Sequence, residues 1–492
     1  MRSIPWVTAL LCLSPGPALA QKPAAPLDLE PEHLKPGLVA EYRSLSDLDA
    51  AFRRIEPKPA FYLGHSSPHP RIPAGLFEVT WSGIIHLQDP PPISFSAFAG
   101  GELTVEIDRT TVLRGRGESD TSELKRTAAL ERESGLYRIS IRFRSLANVP
   151  ARLQLMWEGK TFAREPIPAW RFYHAAMDES PAVRQSELER QGRVAAGRYG
   201  CARCHATAFP AVTDPPPGPS LADVGRRVNR AWLMNWLADP SKVRPEARMP
   251  ALFVADRSGY AERWLIAEYL TRDSTEKRED KSASGDHRAG RLAYLDLGCA
   301  TCHFVPDVPR PEQPDLERVA FTGLGDRMRF DDLVTFLGNP HGRYHDGRMP
   351  RVPVTPDQAR HIAAYILMWA KPSAAPAADA PTQDEIQRLF GRLGVRDRGT
   401  AATTLLRTKG CNSCHPGLGQ TLPLYFPIKS TESSGCVAGK KSVRYAFDEP
   451  TRAALTAYLA VAGREKHSSP FTARQEQLAR AGCVRCHQRD SD

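Results

Sequence analysis

Four hundred and ninety-two residues, 41% hydrophobic and 25% charged, are too many for one compact core and predict three to five domains of ~100–200 residues each. The same balance excludes wholesale disorder and a multi-span membrane protein, while 43 prolines predict long connections between elements. The net charge of +10 is spread as 66 Lys and Arg interspersed among 56 Asp and Glu, without the basic stripe that a nucleic-acid partner requires.

In chain order, residues 1–20 read as a signal peptide: Arg2 is the positive start, Ile4 to Leu13 the apolar run, and Ala18-Leu19-Ala20 the small-residue cleavage site before Gln21. That run is far short of the ~20 residues of a spanning helix, so the expectation is export to the periplasm or cell surface with no transmembrane segment. A Pro-rich lead-in at 21–36 follows. Over 37–175 the hydrophobic period becomes two: Phe77-Glu-Val79-Thr-Trp81, Ser94 to Phe98, Leu103-Thr-Val105-Glu-Ile107, Tyr137 to Phe143 and Leu153 to Trp157 alternate like half-buried strands. With turns expected at Gly100-Gly101 and Ser134-Gly135, this stretch predicts an all-β sandwich or barrel.

It resembles the protective-antigen-like β-domain of bacterial toxins, adhesins and glycosidases on Gly37-Leu38, Trp81-Ser-Gly83, Phe95 to Phe98, Val105-Glu-Ile107-Asp108, Gly135-Leu-Tyr137 and Leu153 to Trp157. The resemblance implies docking, or a glycan or protein ligand. In some members consecutive aspartates help to hold Ca²⁺ and a sugar; Ala99-Gly100-Gly101-Glu102 stands there in this chain, so a structural or docking role stands beside the sugar-binding one.

The cysteines carry the chemistry. Apart from Cys12 in the signal segment and Cys436, the remaining eight of the ten cysteines fall into four copies of Cys-x-x-Cys-His: Cys201, Cys204, His205; Cys299, Cys302, His303; Cys411, Cys414, His415; and Cys483, Cys486, His487. Two thiols one helical turn apart can add to the vinyl groups of a haem, and the adjoining imidazole can take the iron, so the pentapeptide predicts covalent haem c. Zinc is the rival, but a zinc ribbon has no need of a histidine after every second cysteine. Three haems are expected, with a fourth at the last motif. Their propionates, about eight in number, would offset most of the positive charge.

Around the motifs the sequence predicts units at 183–271, 288–371 and 384–465, and the start of a fourth, incomplete one at 471–492. The first two are an internal repeat: Gly225, Leu233, Leu237, Pro240, Met249 and Pro250 recur 100 residues later as Gly325, Leu333, Leu337, Pro340, Met349 and Pro350. Met249 and Met349 each stand in Arg-Met-Pro, 44 and 46 residues after His205 and His303, and are the candidate distal iron ligands of those two histidines. Met234 and Met328 read as core, and Met368 lacks the Arg-Met-Pro context.

These units resemble class I cytochrome c domains, and the whole arrangement resembles the large exported multihaem cytochromes of planctomycete-type bacteria. The fold class implied is an all-β sandwich or barrel followed by serial all-α class I cytochrome c domains. The function implied is relay of single electrons between unidentified redox partner proteins, with His205, His303, His415 and His487 on iron.

The third unit breaks the pattern, because no methionine follows His415; Lys440, Lys441 and Tyr445 occupy the distal slot, with Cys436 and His467 as further alternatives. An open haem there would make the chain a dihaem-peroxidase-like enzyme. A third reading is a glycan-binding protein with accessory haems. Only five residues follow His487, so the chain is expected to stop within a fourth unit, or that haem to be covered by a partner or another unit, or Cys483 and Cys486 to form a disulfide instead. No catalytic nucleophile with an identifiable base is present.

Overall fold

The alternating segments form strands. In this computed structural model, residues 25–481 are described except 126–128, 206–208, 210–211, 213–216, 223, 229, 245–246, 273–284, 308–318, 322, 344–348, 371–378, 417–434, 439–442 and 468. Residues 1–20, Lys440, Lys441, Cys483, Cys486 and His487 thus lie outside the described residues. The strands are β1 (Leu34–Pro36), β2 (Leu38–Ser44), β3 (Ala51–Glu56), β4 (Ala60–Gly64), β5 (Phe77–Leu87), β6 (Ser94–Ile107), β7 (Thr110–Gly117), β8 (Glu123–Leu124), β9 (Gly135–Arg144), β10 (Ala151–Glu158), β11 (Glu165–Pro166) and β12 (Phe172–Ala175). They make one antiparallel sheet along the path β1-β12-β5-β9-β6-β10-β11, with β2, β3, β4, β7 and β8 pairing off it.

The sheet curls at Gly100-Gly101. The sequence predicts a turn there; the pair instead sits inside the long strand β6. Ser94 to Gly100 pairs with β10, whereas Glu102 to Ile107 pairs with β9 and Gly101 to Ile107 with β7. Gly101 has φ of 147°, and a Cβ there would run into the Phe143 ring; one at Gly100 would strike the carbonyl of Pro150. The curl closes over Trp81, Trp157, Phe77, Phe95 and Phe143, all fully buried.

The helices are α1 (Pro181–Tyr199), α2 (Val224–Arg227), α3 (Arg230–Ala238), α4 (Pro240–Val243), α5 (Arg257–Leu270), α6 (His287–Asp296), α7 (Cys299–Cys302), α8 (Phe330–Gly338), α9 (Pro340–Arg343), α10 (Pro356–Trp369), α11 (Gln383–Leu393), α12 (Arg398–Thr408), α13 (Glu449–Leu459) and α14 (Pro470–Ala481). Side-chain caps written in the sequence start the longer ones: Ser180, Asp256, Asp286, Thr355, Thr382, Asp397 and Asp448 accept from first-turn amides.

The expected sandwich or barrel followed by serial all-α domains is not what the chain forms. The architecture is mixed α/β: one curled twelve-stranded sheet, then helices whose packing is not sequential, with a short parallel pair, β13 (His303–Phe304) on β14 (Val319–Ala320), among them. The second unit packs its leading helix on its closing one, α6 and α8 against α10, whereas the first keeps α3 on α5 among the described residues. Helix α1, expected to lead the first unit, packs on α13 and touches β3. Helix α5, expected to close the first unit, packs on α11 and α12. In chain order the partners nest like brackets: α1 with α13 outermost, α5 with α11 and α12 inside them, and α6 and α8 with α10 between. Periodicity cannot reveal this, because amphipathic helices of similar length offer equivalent apolar faces. Loop-closure entropy opposes it only weakly, at ~0.6 kcal/mol per doubling of loop length. Among the described residues no helix is long and apolar enough to cross a membrane.

The sheet meets the outer helices through polar pairs. Pro70 O accepts from the amides of Lys466 and His467 at 3.1 Å each, Ser469 Oγ donates to Ser67 O at 2.9 Å, and Arg71 pairs with Glu189 at 2.7 Å. His69 lies in this contact, stacked on Phe52 with centroids 4.0 Å apart. Burial, then Arg54, Arg71 and Arg193, hold its pKa well below the usual histidine range. A depressed folded pKa contributes stability above the unfolded pKa of ~6.5 that is lost as pH falls below it, by up to about 1.4 kcal/mol per pH unit. Denaturant titrations from pH 7.5 to 5 should show this loss in the parent chain and a flatter profile in His69→Gln; parallel profiles would refute it.

Candidate cofactor-attachment sites

A glycine precedes the first cysteine of each described motif. Gly200, Gly298 and Gly410 take left-handed φ of 69°, 74° and 72°, which end the leading helix and turn the chain. Single helical turns follow at Cys201–Arg203, Cys299–Cys302 and Cys411–Ser413. The amides of His205 and His415 donate to the carbonyls of Cys201 and Cys411 at 3.0 and 2.9 Å, so each imidazole begins directly beyond its thiol pair.

The thiols face apolar surroundings. Burial pushes Cys201 up to about 12 and Cys411 to about 11, and raises Cys204 and Cys299, which keeps all four neutral at pH 7. None of the described cysteines is in a disulfide. Among the described residues, no three His, Cys, Asp or Glu converge as a metal-binding group. Neutral thiols one turn apart, facing an apolar cluster, fit thioether formation with a vinyl-bearing macrocycle.

Two histidines are oriented by backbone. His415 Nδ1 lies 2.8 Å from Pro219 O, and His303 Nδ1 lies 3.3 Å from Val319 O. A carbonyl only accepts, so Nδ1 is the protonated nitrogen, and Nε2 of the neutral ring holds the lone pair that a metal needs. Burial lowers the His303 pKa, with the Val319 carbonyl opposing, which favours the neutral ring. Gly218 donates its amide to Cys414 O at 2.7 Å, and a Cβ on it would lie 2.7 Å from the His415 ring.

The surroundings of each turn follow the nesting. Cys299 shares a cluster with Tyr294, Val305, Leu333, Ile362 and Met349, all from its own unit. Cys411 shares one with Leu405, Leu406, Phe253, Leu265 and Met249, the last three from the stretch that follows the first motif. Trp236 Nε1 donates to Met249 Sδ at 3.1 Å. Cys201 packs with Val437, Tyr445, Phe447 and Tyr458, from the stretch after the third motif. Tyr199 meets the rings of Tyr445 and Phe447 edge-on at 5.4 and 4.9 Å. Burial, followed by Cys201 and Cys436, raises the Tyr445 pKa.

Met249 is thus grouped with Cys411, whereas its spacing in the chain pointed to His205. Met349 packs in the cluster of Cys299, and Met234 and Met328 are buried core. Of the other distal alternatives, Tyr445 lies against Cys201, Cys436 is an electrostatic neighbour of Cys201 and Cys204, and His467 is held at the sheet contact through its amide. The first and third turns touch: Arg203 Nη1 donates to Ser413 O at 2.9 Å, and Cys414 is among the groups that raise Cys204. Sequence reasoning missed Gly218 and Pro219. The signal was present in the repeat, since the 100-residue shift places Pro219 on Val319.

No family model matches the chain, and no curated protein matches it. Solved structures that it resembles include an anti-sigma factor domain-containing protein from Clostridium clariflavum, 21% identical over 29% of this chain and 48% of that one, with a TM-score of 0.25. Others are the PA14 domain of an antifreeze protein (14% identity, 30% and 96% covered, TM-score 0.23) and a GH31 alpha-xylosidase from Xanthomonas citri (12%, 79% and 47%, TM-score 0.19). The chain spans about half the length of the first of these. Likenesses this low assign neither fold nor function.

Proposed function

We propose that the chain is an exported multihaem c-type protein that relays single electrons between redox partner proteins, with the curled sheet serving to dock or to bind a glycan or protein ligand. The observation that carries this reading is the repeated local device: a left-handed glycine and two thiols one turn apart at all three described motifs, with an imidazole whose Nδ1 is held by a backbone carbonyl at His303 and His415. The residues that would hold haem c are Cys201, Cys204 and His205; Cys299, Cys302 and His303; and Cys411, Cys414 and His415, with Cys483, Cys486 and His487 as a further set. Bound there, haem supplies one-electron iron chemistry. The chain fixes the tautomers of His303 and His415, excludes water with the apolar clusters, and brings the first and third turns into contact, which favours short electron paths between those two sites.

Mass spectrometry of the exported chain tests this, together with a reduced-minus-oxidised spectrum. The expectation is a mass increase equal to three or four haems and a strong Soret band. A mass equal to the polypeptide alone, without Soret absorption, would overturn it.

A further inference from the structure

We propose that Met249 is the distal iron ligand of the haem carried by Cys411 and Cys414, so that a methionine and a histidine from opposite sides of the second unit complete one site. Of the three described motifs, Cys201 and Cys204 then carry the haem without a methionine, and it faces Tyr445. This rests on the reading above that the motifs carry haem c.

The internal repeat supplies the argument. Displaced by 100 residues, Pro219 corresponds to Val319 and Met249 to Met349. In the second unit, Val319 O faces His303 Nδ1 while Met349 packs in the cluster of Cys299, so the carbonyl and the thioether belong to one site. In the earlier copy the same two positions also act together, but on another motif. Pro219 O is 2.8 Å from His415 Nδ1, and Met249 packs in the cluster of Cys411. Four further observations agree with this assignment. Gly218 is bonded to Cys414 O, α5 packs on α11 and α12, Arg257 Nε pairs with Glu385 at 2.7 Å across that contact, and Arg392 Nη2 with Glu262 at 2.8 Å. The turn at Cys201 is enclosed by Val437, Tyr445, Phe447 and Tyr458, and its described cluster holds no methionine.

The consequence is a change of role for the two sites. The third motif, which lacks a methionine downstream, acquires the soft thioether that raises a haem potential. The first motif, although followed by Arg-Met-Pro, becomes the site whose iron is free of thioether ligation.

The test uses the full exported chain with its haems. Cys411→Ala leaves that haem attached through one thioether, with one vinyl group free, and so shifts its α-band to longer wavelength; Cys201→Ala labels the other site in the same way. Each labelled chain is titrated at its shifted band with and without Met249→Leu. The expected result is a downward shift in midpoint potential in the Cys411→Ala chain and none in the Cys201→Ala chain. A shift only in the Cys201→Ala chain, or in neither, would overturn the pairing. Haem attachment, counted by mass in the same samples, separates this failure from failure of the haem reading itself, which would leave no band to titrate. Should either labelled chain fail to accumulate, the amplitude of the thioether-to-iron charge-transfer band in Cys411→Ser/Cys414→Ser and Cys201→Ser/Cys204→Ser chains gives a second reading. Loss of about half the band in the first and none in the second supports the pairing, and any other pattern overturns it.

Discussion

Arg193→Met should destabilise the packing of the outer helices by about 3–5 kcal/mol, the usual consequence of leaving a buried carboxylate without its partner. Arg193 is 4% exposed, and it donates through Nε to Glu476 at 2.5 Å and through Nη1 to Glu465, itself 1% exposed. Tyr458 OH also donates to Glu465, at 2.6 Å. Burial pushes the Glu465 carboxyl upward in pKa, and Arg193 is the main counterweight. Without the guanidinium the folded-state pKa rises further. Stability from a group with a raised folded pKa is present below the unfolded value of ~4.3 and is lost as pH rises through the folded one, so the deficit should be smaller at pH 5 than at pH 7.5. Urea unfolding at both values, followed by near-ultraviolet circular dichroism, measures this. Arg193→Met/Glu465→Met should regain part of the loss, because the double change removes the stranded charge as well. An equal deficit at the two pH values, or no recovery in the double variant, would show that lost packing and not charge sets the effect.

The second large effect is steric. Gly290→Ala should cost about 2–3 kcal/mol, although alanine favours a helix by ~0.5–1 kcal/mol over glycine. Gly290 lies where α6 crosses α10. A Cβ there would collide with the carbonyl of His361 and come within 2.8 Å of Tyr365 Cβ, so the helices must part. Tyr365 OH donates to Asp307 at 2.5 Å and Tyr294 OH to His303 O at 2.9 Å, so parting the helices also disturbs the second attachment turn. Gly391→Ala is the control: it lies in α11 with open space around it and should be neutral or mildly stabilising. Thermal unfolding of both variants decides the matter, and equal midpoints would refute the crossing argument. Gly192 has the same role in α1, where a Cβ would strike the carbonyl of Ala454 in α13. Both glycines stand nine residues before the first cysteine of their motif, and the buried Ala402 holds that position in α12.

How much of this was legible differs from element to element, for physical reasons. Tyr137 to Phe143 announced a strand because side chains alternate across a pleat, and β9 is there. The three Cys-x-x-Cys-His motifs were legible because their spacing places two thiols one helical turn apart; the left-handed glycine before each became visible only in the folded backbone. The repeat at a 100-residue shift was visible as well. Gly100-Gly101 was legible only as a break: glycine marks a place where a Cβ cannot fit, but whether the chain turns back or a strand bends depends on Phe143 and Pro150, some 40 to 50 residues away.

Local chemistry, then, is written in the order of the residues: strands, caps, the turns that present thiols and imidazoles, and the methionines suited to soft coordination. Which methionine packs against which cysteine turn is not. Arg193 finds Glu465 across 272 residues, and His415 finds Pro219 across 196. Several amphipathic helices could have covered any of the three turns, and sequence distance separates those choices only through a slowly growing entropy. The packing of whole faces decided among them, at Gly192 and Gly290 where helices cross in contact and at Arg193 where a buried charge needs its partner. That outcome exists only in the folded chain.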